Sequence, residues 1–108
     1  MSWIDIGPIE AIPLRGARRV RTPHGCVAVF RTDALEVFAA SAVCPHRGGP
    51  LDEGIVHGTR VTCPLHNWVF DLATGQAVDE DARIDTFPAR IEAGRVLIDL
   101  TRLADRAA

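Results

Sequence analysis

The sequence predicts an all-β fold on three observations. Its apolar runs are short, and they recur along the chain between turn signals rich in glycine and proline. Several neighbouring runs are separated by only two or three such residues, as in hairpins. In the last run Val96, Ile98 and Leu100 alternate with other residues, which puts them on one face of a strand.

The first half of the chain yields four predicted strands, at residues 3–6, 18–22, 26–31 and 35–39. Gly7-Pro8 ends the first of them, because proline has no N–H to give to a sheet. Pro23-His24-Gly25 closes a hairpin between the second and third, and Thr32-Asp33 precedes the fourth.

The second half yields five more predicted strands, at residues 55–56, 60–62, 68–71, 84–91 and 95–100. His57-Gly58 forms a tight turn between the first two. Thr74-Gly75 turns the chain after the third, and Glu92-Ala93-Gly94 separates the last two. Residues 101–108 have helical propensity, but we expect them to form a frayed tail.

Length and composition indicate one domain, over residues 1–108. No run approaches the ~20 apolar residues of a membrane span, and the N-terminus lacks a basic segment followed by an apolar one. We therefore expect a cytoplasmic protein with no membrane partner. Three arginines, Arg18, Arg19 and Arg21, lie close together, but the net charge is −2 and no aromatic platform is near. They predict a solvated strand face and no nucleic-acid partner.

The strongest motif is a repeated pairing of cysteine with histidine. Cys44-Pro-His46 is followed, after sixteen residues, by Cys63-Pro-Leu-His66. Each pair begins a short loop, 44–51 and 63–68, that contains proline, and the first also contains Gly48-Gly49. Two thiolates and two imidazoles on paired loops are the ligand set of a Rieske iron–sulfur centre. The motif predicts one [2Fe–2S] cluster held by Cys44, His46, Cys63 and His66.

The mixed ligand set explains why such a centre accepts an electron readily. Two ferric ions, two sulfides and two thiolates sum to zero charge, and neutral imidazoles leave that sum unchanged. Adding an electron to a neutral centre is easier than adding one to the dianion that four thiolates give. Potentials therefore rise to roughly −150 to +300 mV. The sequence predicts electron transfer.

Other interpretations of the cysteines are weaker. Two Cys and two His also suit zinc, but zinc-finger spacing pairs Cys with Cys and His with His. Four buried residues without a metal would not explain two matched loops. Cys26 is the third cysteine, and an odd count argues against a disulfide framework. We interpret Cys26 as a small buried apolar residue within its strand.

The chain resembles a Rieske domain over nearly its whole length, through residues 44–51 (CPHRGGPL) and 63–71 (CPLHNWVFD). The resemblance implies an antiparallel β-sandwich with a small cluster-binding subdomain made of two loops. It also implies that Cys44 and Cys63 hold the inner iron, and that His46 and His66 hold the outer iron. Trp68 would then cover the flank of the cluster, while Trp3 would belong to the core and Asp52-Glu53 would cap a turn.

Within that family the chain is most similar to the small subunit of assimilatory NAD(P)H-dependent nitrite reductase. The similarity lies in residues 54–58 (GIVHG), 61–68 (VTCPLHNW) and 71–75 (DLATG). It implies a large partner subunit with flavin and sirohaem, which reduces nitrite to ammonium in nitrate assimilation. The chain would be an oxidoreductase subunit and electron carrier with no catalytic residues or substrate site of its own, since it has no nucleotide-binding fingerprint.

Departures from other Rieske branches carry a further expectation. Respiratory members have an extra cysteine in each loop and a serine after the second histidine, at positions that are Gly49, Leu65 and Asn67 here. Fewer hydrogen bonds to sulfur predict a potential in the low half of the Rieske range. Two alternatives stay open: a free-standing Rieske ferredoxin serving an aromatic-ring dioxygenase or similar oxygenase, and a structural metal-binding module.

Overall fold

The computed structural model describes residues 3–23, 25–45, 48–65 and 67–101. These residues form ten strands and two short 3-10 helices, Ile9–Ala11 and Leu51–Glu53. The strands are β1 (Trp3–Pro8), β2 (Gly16–Thr22), β3 (Gly25–Asp33), β4 (Glu36–Ser41), β5 (Ile55–His57), β6 (Arg60–Thr62), β7 (Val69–Asp71), β8 (Thr86–Phe87), β9 (Ala89–Glu92) and β10 (Arg95–Asp99). Within the ranges given, no helix is long and apolar enough to cross a membrane.

The strands pair in three antiparallel sheets, which confirms the predicted all-β antiparallel fold. The strand orders are β1-β10-β9, β2-β3-β4-β8 and β5-β6-β7. The third sheet is the small one, and its strands lie on either side of the second cysteine loop. The fold therefore separates a scaffold of two sheets from a smaller sheet that carries the predicted centre.

Strand β3 lies between two hydrophobic cores. Val27 and Val29 point into a core shared with Val96 and Ile98 of the first sheet. Their neighbours Ala28 and Phe30 point the other way, into a core that contains both loop cysteines. All four of these β3 residues are fully buried, as the two-residue period of a strand buried on both faces requires. The scaffold therefore supports the small sheet directly, through one shared strand.

The small sheet supplies its own share of the second core. Its inward-facing side chains are Val56, Val61 and Phe70, one from each strand, and all three are buried. Adjacent strands pair these residues directly, Val56 with Val61 and Val61 with Phe70. The register therefore sets one apolar face of the small sheet against the scaffold. The second cysteine loop joins β6 to β7 of this sheet, whereas the first lies between β4 of the scaffold and β5.

One predicted strand was wrong. Residues 84–91 form two strands, β8 and β9, which belong to different sheets. Pro88 lies between them and has no N–H, so a continuous ladder would lose a hydrogen bond there. Its carbonyl instead accepts a hydrogen bond of 3.0 Å from the N–H of Asp99. The chain crosses from one sheet to the other at this residue.

The other predicted strands match observed ones, with ends shifted by one or two residues or unchanged. Val96, Ile98 and Leu100 are all buried, as the alternation predicts. Trp3 differs from the expectation, because it is half-buried and not a core residue. The guanidinium of Arg90 lies over its ring, 4.2 Å from the centroid, a cation–π contact that suits a surface tryptophan. Of the predicted tail, residues 102–108 lie outside the described residues.

Candidate metal centre

The first cysteine loop is closed at its base by the backbone. Val43 and Pro50 form an antiparallel bridge, and the N–H of Leu51 donates to the carbonyl of Ala42 at 2.9 Å. Inside the loop, the N–H of Cys44 donates to the Gly49 carbonyl at 2.8 Å, and the Gly48 N–H returns to the Cys44 carbonyl at 3.0 Å. These bonds between described residues join the two ends of the loop and hold Cys44 in the core.

The second loop joins β6 to β7 and is closed in a similar way. The N–H of Cys63 donates to the carbonyl of Trp68 at 2.7 Å. Asn67 has φ = +58°, a left-handed conformation that asparagine tolerates better than most residues. Cys63 itself has no exposed surface, and Cys44 is 1% exposed. Each loop thus places one thiol in the interior.

The two loops meet at Gly49. A Cβ atom placed on Gly49 would lie 2.7 Å from Cys63 Sγ, while the Gly49 carbonyl accepts the hydrogen bond from Cys44. One residue of the first loop therefore contacts both cysteines, which also share one hydrophobic core. Two buried sulfur donors brought together from separate loops suit a soft inorganic centre, so the residues present fit an iron–sulfur cluster.

The histidines of the motif, His46 and His66, lie outside the described residues, as do Arg47 and His24. Among the residues that are described, no group of three or more His, Cys, Asp or Glu side chains is placed to hold a metal ion. The structure thus brings the two predicted sulfur ligands together, and the two nitrogen ligands stay a prediction.

Trp68 ends the second loop, and Phe70 follows it in β7. Trp68 is half-buried and packs against the core that contains both cysteines. Its ring lies 6.4 Å from the ring of Phe70 with an interplanar angle of 51°, a tilted aromatic pair. Trp68 is therefore a packing residue at the end of the second loop, and its position over the flank of the cluster stays a prediction.

Apolar side chains in or beside the cysteine loops are exposed at the surface, a feature that the sequence analysis did not predict. Val43 is 47% exposed and Leu65 is 43% exposed. Leu65 contacts Gly49, since its Cγ would lie 3.3 Å from a Cβ there. With the exposed Pro45 and Pro64 they form what we call the apolar collar. The sequence did contain a signal for this feature: apolar residues lie in or beside loops whose prolines and glycines indicate that the loops are exposed.

The chain after the first loop is attached to β2 by an ion pair. Both Nε and Nη2 of Arg19 donate to Oδ1 of Asp52, at 3.1 and 2.8 Å. The hydrogen bond and the charge of Asp52 raise the pKa of the Arg19 guanidinium. Arg19 is exposed, as expected of a solvated strand face, but its guanidinium also binds Asp52. The Asp52 carboxylate accepts from Arg19 and not from a turn N–H, which corrects the capping expectation. A contact across 33 residues leaves no local signal in the sequence.

Cys26 and His57 are not candidate ligands of the cluster. Cys26 is half-buried and packs against the cysteine-containing core, so it is less buried than expected. No disulfide joins cysteines of the described residues, in keeping with the odd count. His57 is exposed, as expected of a turn residue, and its Nε2 lies 2.8 Å from the hydroxyl of Thr62.

Comparison with known proteins identifies the family. The model of the Rieske [2Fe-2S] domain matches residues 2–88 of the sequence. This chain belongs to the Rieske [2Fe-2S] domain family. It is a redox protein whose cofactor is a Rieske-type [2Fe–2S] cluster and whose role is electron transfer.

Relatives of two kinds are similar to the chain. The ferredoxin component of a Pseudomonas putida naphthalene 1,2-dioxygenase system is 37% identical over 103 residues, which are 94% of this chain and 98% of the relative. A Mycobacterium tuberculosis protein assigned as an NADH-dependent nitrite reductase small subunit superposes with a TM-score of 0.82 and 27% identity, covering 90% and 93%. A Sphingomonas yanoikuyae B1 ferredoxin gives a TM-score of 0.79 and 31% identity, covering 91% and 98%.

Proposed function

We propose that this chain is the cytoplasmic Rieske electron-transfer small subunit of an assimilatory NAD(P)H-dependent nitrite reductase. The observation that carries the proposal is the similarity of residues 54–58, 61–68 and 71–75 to that family. In the fold these segments lie in or next to one sheet, β5-β6-β7. They contain residues of β5 and β6, the second cysteine loop and the turn after β7. The nitrite reductase small subunit of similar fold supports the proposal along nearly the whole chain.

The turn after β7 ends the segment that carries the similarity. Oδ1 of Asp71 accepts hydrogen bonds from the N–H groups of Ala73 and Thr74, at 2.8 and 3.3 Å. The N–H of Gly75 donates to the Asp71 carbonyl at 2.7 Å, and Gly75 has φ = +81°. A Cβ there would lie 2.2 Å from the Ile84 carbonyl oxygen. Asp71 and Gly75 therefore have specific structural roles in the DLATG segment.

We propose that the whole chain is one domain and that Cys44, His46, Cys63 and His66 hold its cluster. When bound, the cluster takes up and releases one electron at a time. The buried cysteines would hold the cluster from the core side, and the absence of a side chain on Gly49 lets the first loop approach Cys63 closely. The exposed apolar collar belongs to the same loops and their edges. The collar is also the surface that a redox partner would contact, because it lies nearest the cysteine loops.

The chemistry on nitrite belongs to a partner in this proposal. The sequence has no dinucleotide-binding glycine pattern and no phosphate loop, so NAD(P)H must be oxidised elsewhere. A large subunit with flavin and sirohaem supplies both the hydride acceptor and the nitrite site. The chain contributes an electron carrier, and it counts as part of the enzyme only within that complex.

A second candidate function is a free-standing ferredoxin that delivers electrons to an aromatic-ring dioxygenase or a similar oxygenase. It is favoured by the Pseudomonas putida ferredoxin component, which is 37% identical and matches over 98% of its own length. The expected cluster and fold are the same in both candidates. Only the partner separates them.

The test is isolation of the native partner. The full chain, tagged at one terminus, is purified anaerobically from its source organism grown on nitrate, with Cys63→Ser as the control for cluster-dependent association. We expect a large subunit with the absorption of flavin and sirohaem. NAD(P)H-dependent nitrite reduction by that subunit should rise when the holoprotein is added. Absence of such a subunit, together with support of oxygenase turnover, would establish the second candidate instead.

A further inference from the structure

We propose that Arg19 is a positioning residue, which fastens the first cysteine loop to the scaffold through Asp52 and thereby slows loss of the cluster. The inference rests on the ligand assignment of Cys44 given under the proposed function. It does not depend on whether the partner is a nitrite reductase or an oxygenase. Arg19 contacts no candidate ligand, so it acts through the loop.

The contact is made where the loop leaves the core. Asp52 follows Leu51, the last residue of the loop, and lies in the 3-10 helix Leu51–Glu53. Arg19 lies on β2, whose partner β3 separates the two cores. Its Nε and Nη2 share one carboxylate oxygen, so the guanidinium is held by two hydrogen bonds and not by charge alone. The pair therefore joins the scaffold to the end of the loop.

Movement at Asp52 is passed on to Cys44 by consecutive backbone links. Leu51 is fully buried, and its N–H is bonded to the Ala42 carbonyl. The next link is the bridge between Pro50 and Val43, and the last is the hydrogen bond from Cys44 to Gly49. Opening the loop would break these links in turn, starting at the end that Arg19 holds.

Leu51 anchors the first residue of the 3-10 helix in the core, and the Arg19 contact anchors the second. The N-cap residue of this helix, Pro50, makes no side-chain capping hydrogen bond. The backbone bonds there, from Glu53 N–H to Pro50 and from Gly54 N–H to Leu51, are internal to the turn. The Asp52 side chain is only 14% exposed, whereas both partners of the Arg95–Asp5 pair are more than 40% exposed. The Arg19–Asp52 pair is therefore less exposed than the Arg95–Asp5 pair, although Arg19, at 39% exposure, still lets salt weaken the contact.

The Arg95–Asp5 pair gives a matched control. It too joins an arginine Nε to an aspartate oxygen, at 2.7 Å, but it links β10 to β1 in the first sheet, whose buried residues belong to the core that contains neither loop cysteine. Arg19→Gln and Arg95→Gln thus remove the same kind of contact from two places. Unfolding of the apoproteins in urea reports any general loss of stability in each variant.

The experiment measures how fast the oxidised holoprotein loses its visible absorbance after a ferrous chelator and a mild reductant are added. We expect Arg19→Gln and Asp52→Asn to accelerate the loss about two- to fivefold, while Arg95→Gln matches the parent protein. Arg19→Lys should restore most of the slow rate. Raising the salt concentration should accelerate loss in the parent protein and leave Arg19→Gln unchanged, a difference that loss of packing alone would not produce.

Equal rates of cluster loss for Arg19→Gln, Arg95→Gln and the parent protein would refute the proposal that Arg19 fastens the loop. So would a faster rate that Arg19→Lys does not reduce. A separate result bears on the ligand assignment: a Rieske spectrum in Cys44→Ser would show that Cys44 is not a ligand. An unchanged rate of cluster loss in Arg19→Gln would refute the role of Arg19. If Cys44→Ser at the same time shows no Rieske spectrum, the assignment of Cys44 as a ligand still holds.

Discussion

Gly49 lies against Cys63 so closely that a Cβ atom on the glycine would stand 2.7 Å from Cys63 Sγ. Real Cβ atoms do not approach other heavy atoms so closely. The reason for glycine here is space, whereas the adjacent Gly48 has φ = +69° and is needed for its backbone conformation. One glycine of the pair thus shapes the turn, and the other lets the two loops close on each other.

Gly49→Ala should therefore lose most of its cluster. The added methyl group must displace either Cys63 or Leu65, and displacement of Cys63 moves a proposed ligand. The measurement is iron and acid-labile sulfide per chain after anaerobic purification, together with the circular dichroism of the fold. Gly94→Ala is the control, because a Cβ there meets no atom within 4 Å, although its φ of +76° costs some stability. Full cluster content in Gly49→Ala would contradict the packing argument.

Substitution of the proposed ligands tests the assignment directly. Cys44→Ser and Cys63→Ser should abolish cluster assembly, because a serine oxygen is a poor ligand for soft iron–sulfur centres. His66→Cys should retain a cluster but lower its potential, since it adds one negative charge to the site. Electron paramagnetic resonance of the dithionite-reduced proteins reports both effects. An unchanged Rieske signal in Cys63→Ser would show that the assignment is wrong.

The apolar collar predicts slower electron transfer when its exposed residues are made polar. Val43→Ser should lower the second-order rate of electron transfer with the native partner, because less apolar surface is buried in the encounter complex. The midpoint potential should stay unchanged. Leu35→Ser is the control, since Leu35 is 76% exposed in the turn before β4, and the length of β4 separates it from the first cysteine loop. Equal rates for both variants would exclude a role for Val43 in docking.

The midpoint potential itself is a prediction. We expect a value in the low half of the Rieske range of roughly −150 to +300 mV. The expectation rests on the resemblance described in the sequence analysis, by which Gly49 and Leu65 take the places of the cysteines that bridge the two loops in respiratory members. A redox titration followed by circular dichroism gives the value. A midpoint well above zero against the hydrogen electrode would contradict the expectation.

The Asp5–Arg95 pair predicts a small acid sensitivity. The hydrogen bonds from Arg95 and from the Gly7 N–H hold the pKa of Asp5 below its usual value. A carboxylate whose pKa is lowered on folding stabilises the fold above its unfolded pKa of about 4, and this contribution is lost as the pH falls through the folded pKa. Asp5→Asn should thus reduce stability at pH 7 more than at pH 3. Urea unfolding at both pH values measures the difference, and equal losses would refute it.

The strands illustrate what local sequence predicts well. Residues 60–62 and the alternation of Val96, Ile98 and Leu100 were predictable because the two-residue period and the flanking turns are encoded locally. The run 84–91 was not, since its division at Pro88 depends on which sheet each half can join. The fold class was predictable because many short strands agree on it, whereas the path between sheets depends on contacts that no single segment contains.

For the candidate centre, too, some features are encoded locally in the sequence and others depend on tertiary contacts. The residue types and the spacing of the paired cysteines and histidines are visible in the sequence. The sequence by itself therefore determined the kind of cofactor and the class of function. Tertiary structure alone decided that Gly49 lies against Cys63, that Arg19 binds Asp52, and that Val43 and Leu65 rim the loops. These contacts join residues from separate loops and strands. Their distances are fixed by packing of the whole chain, which leaves no periodic trace in any one segment.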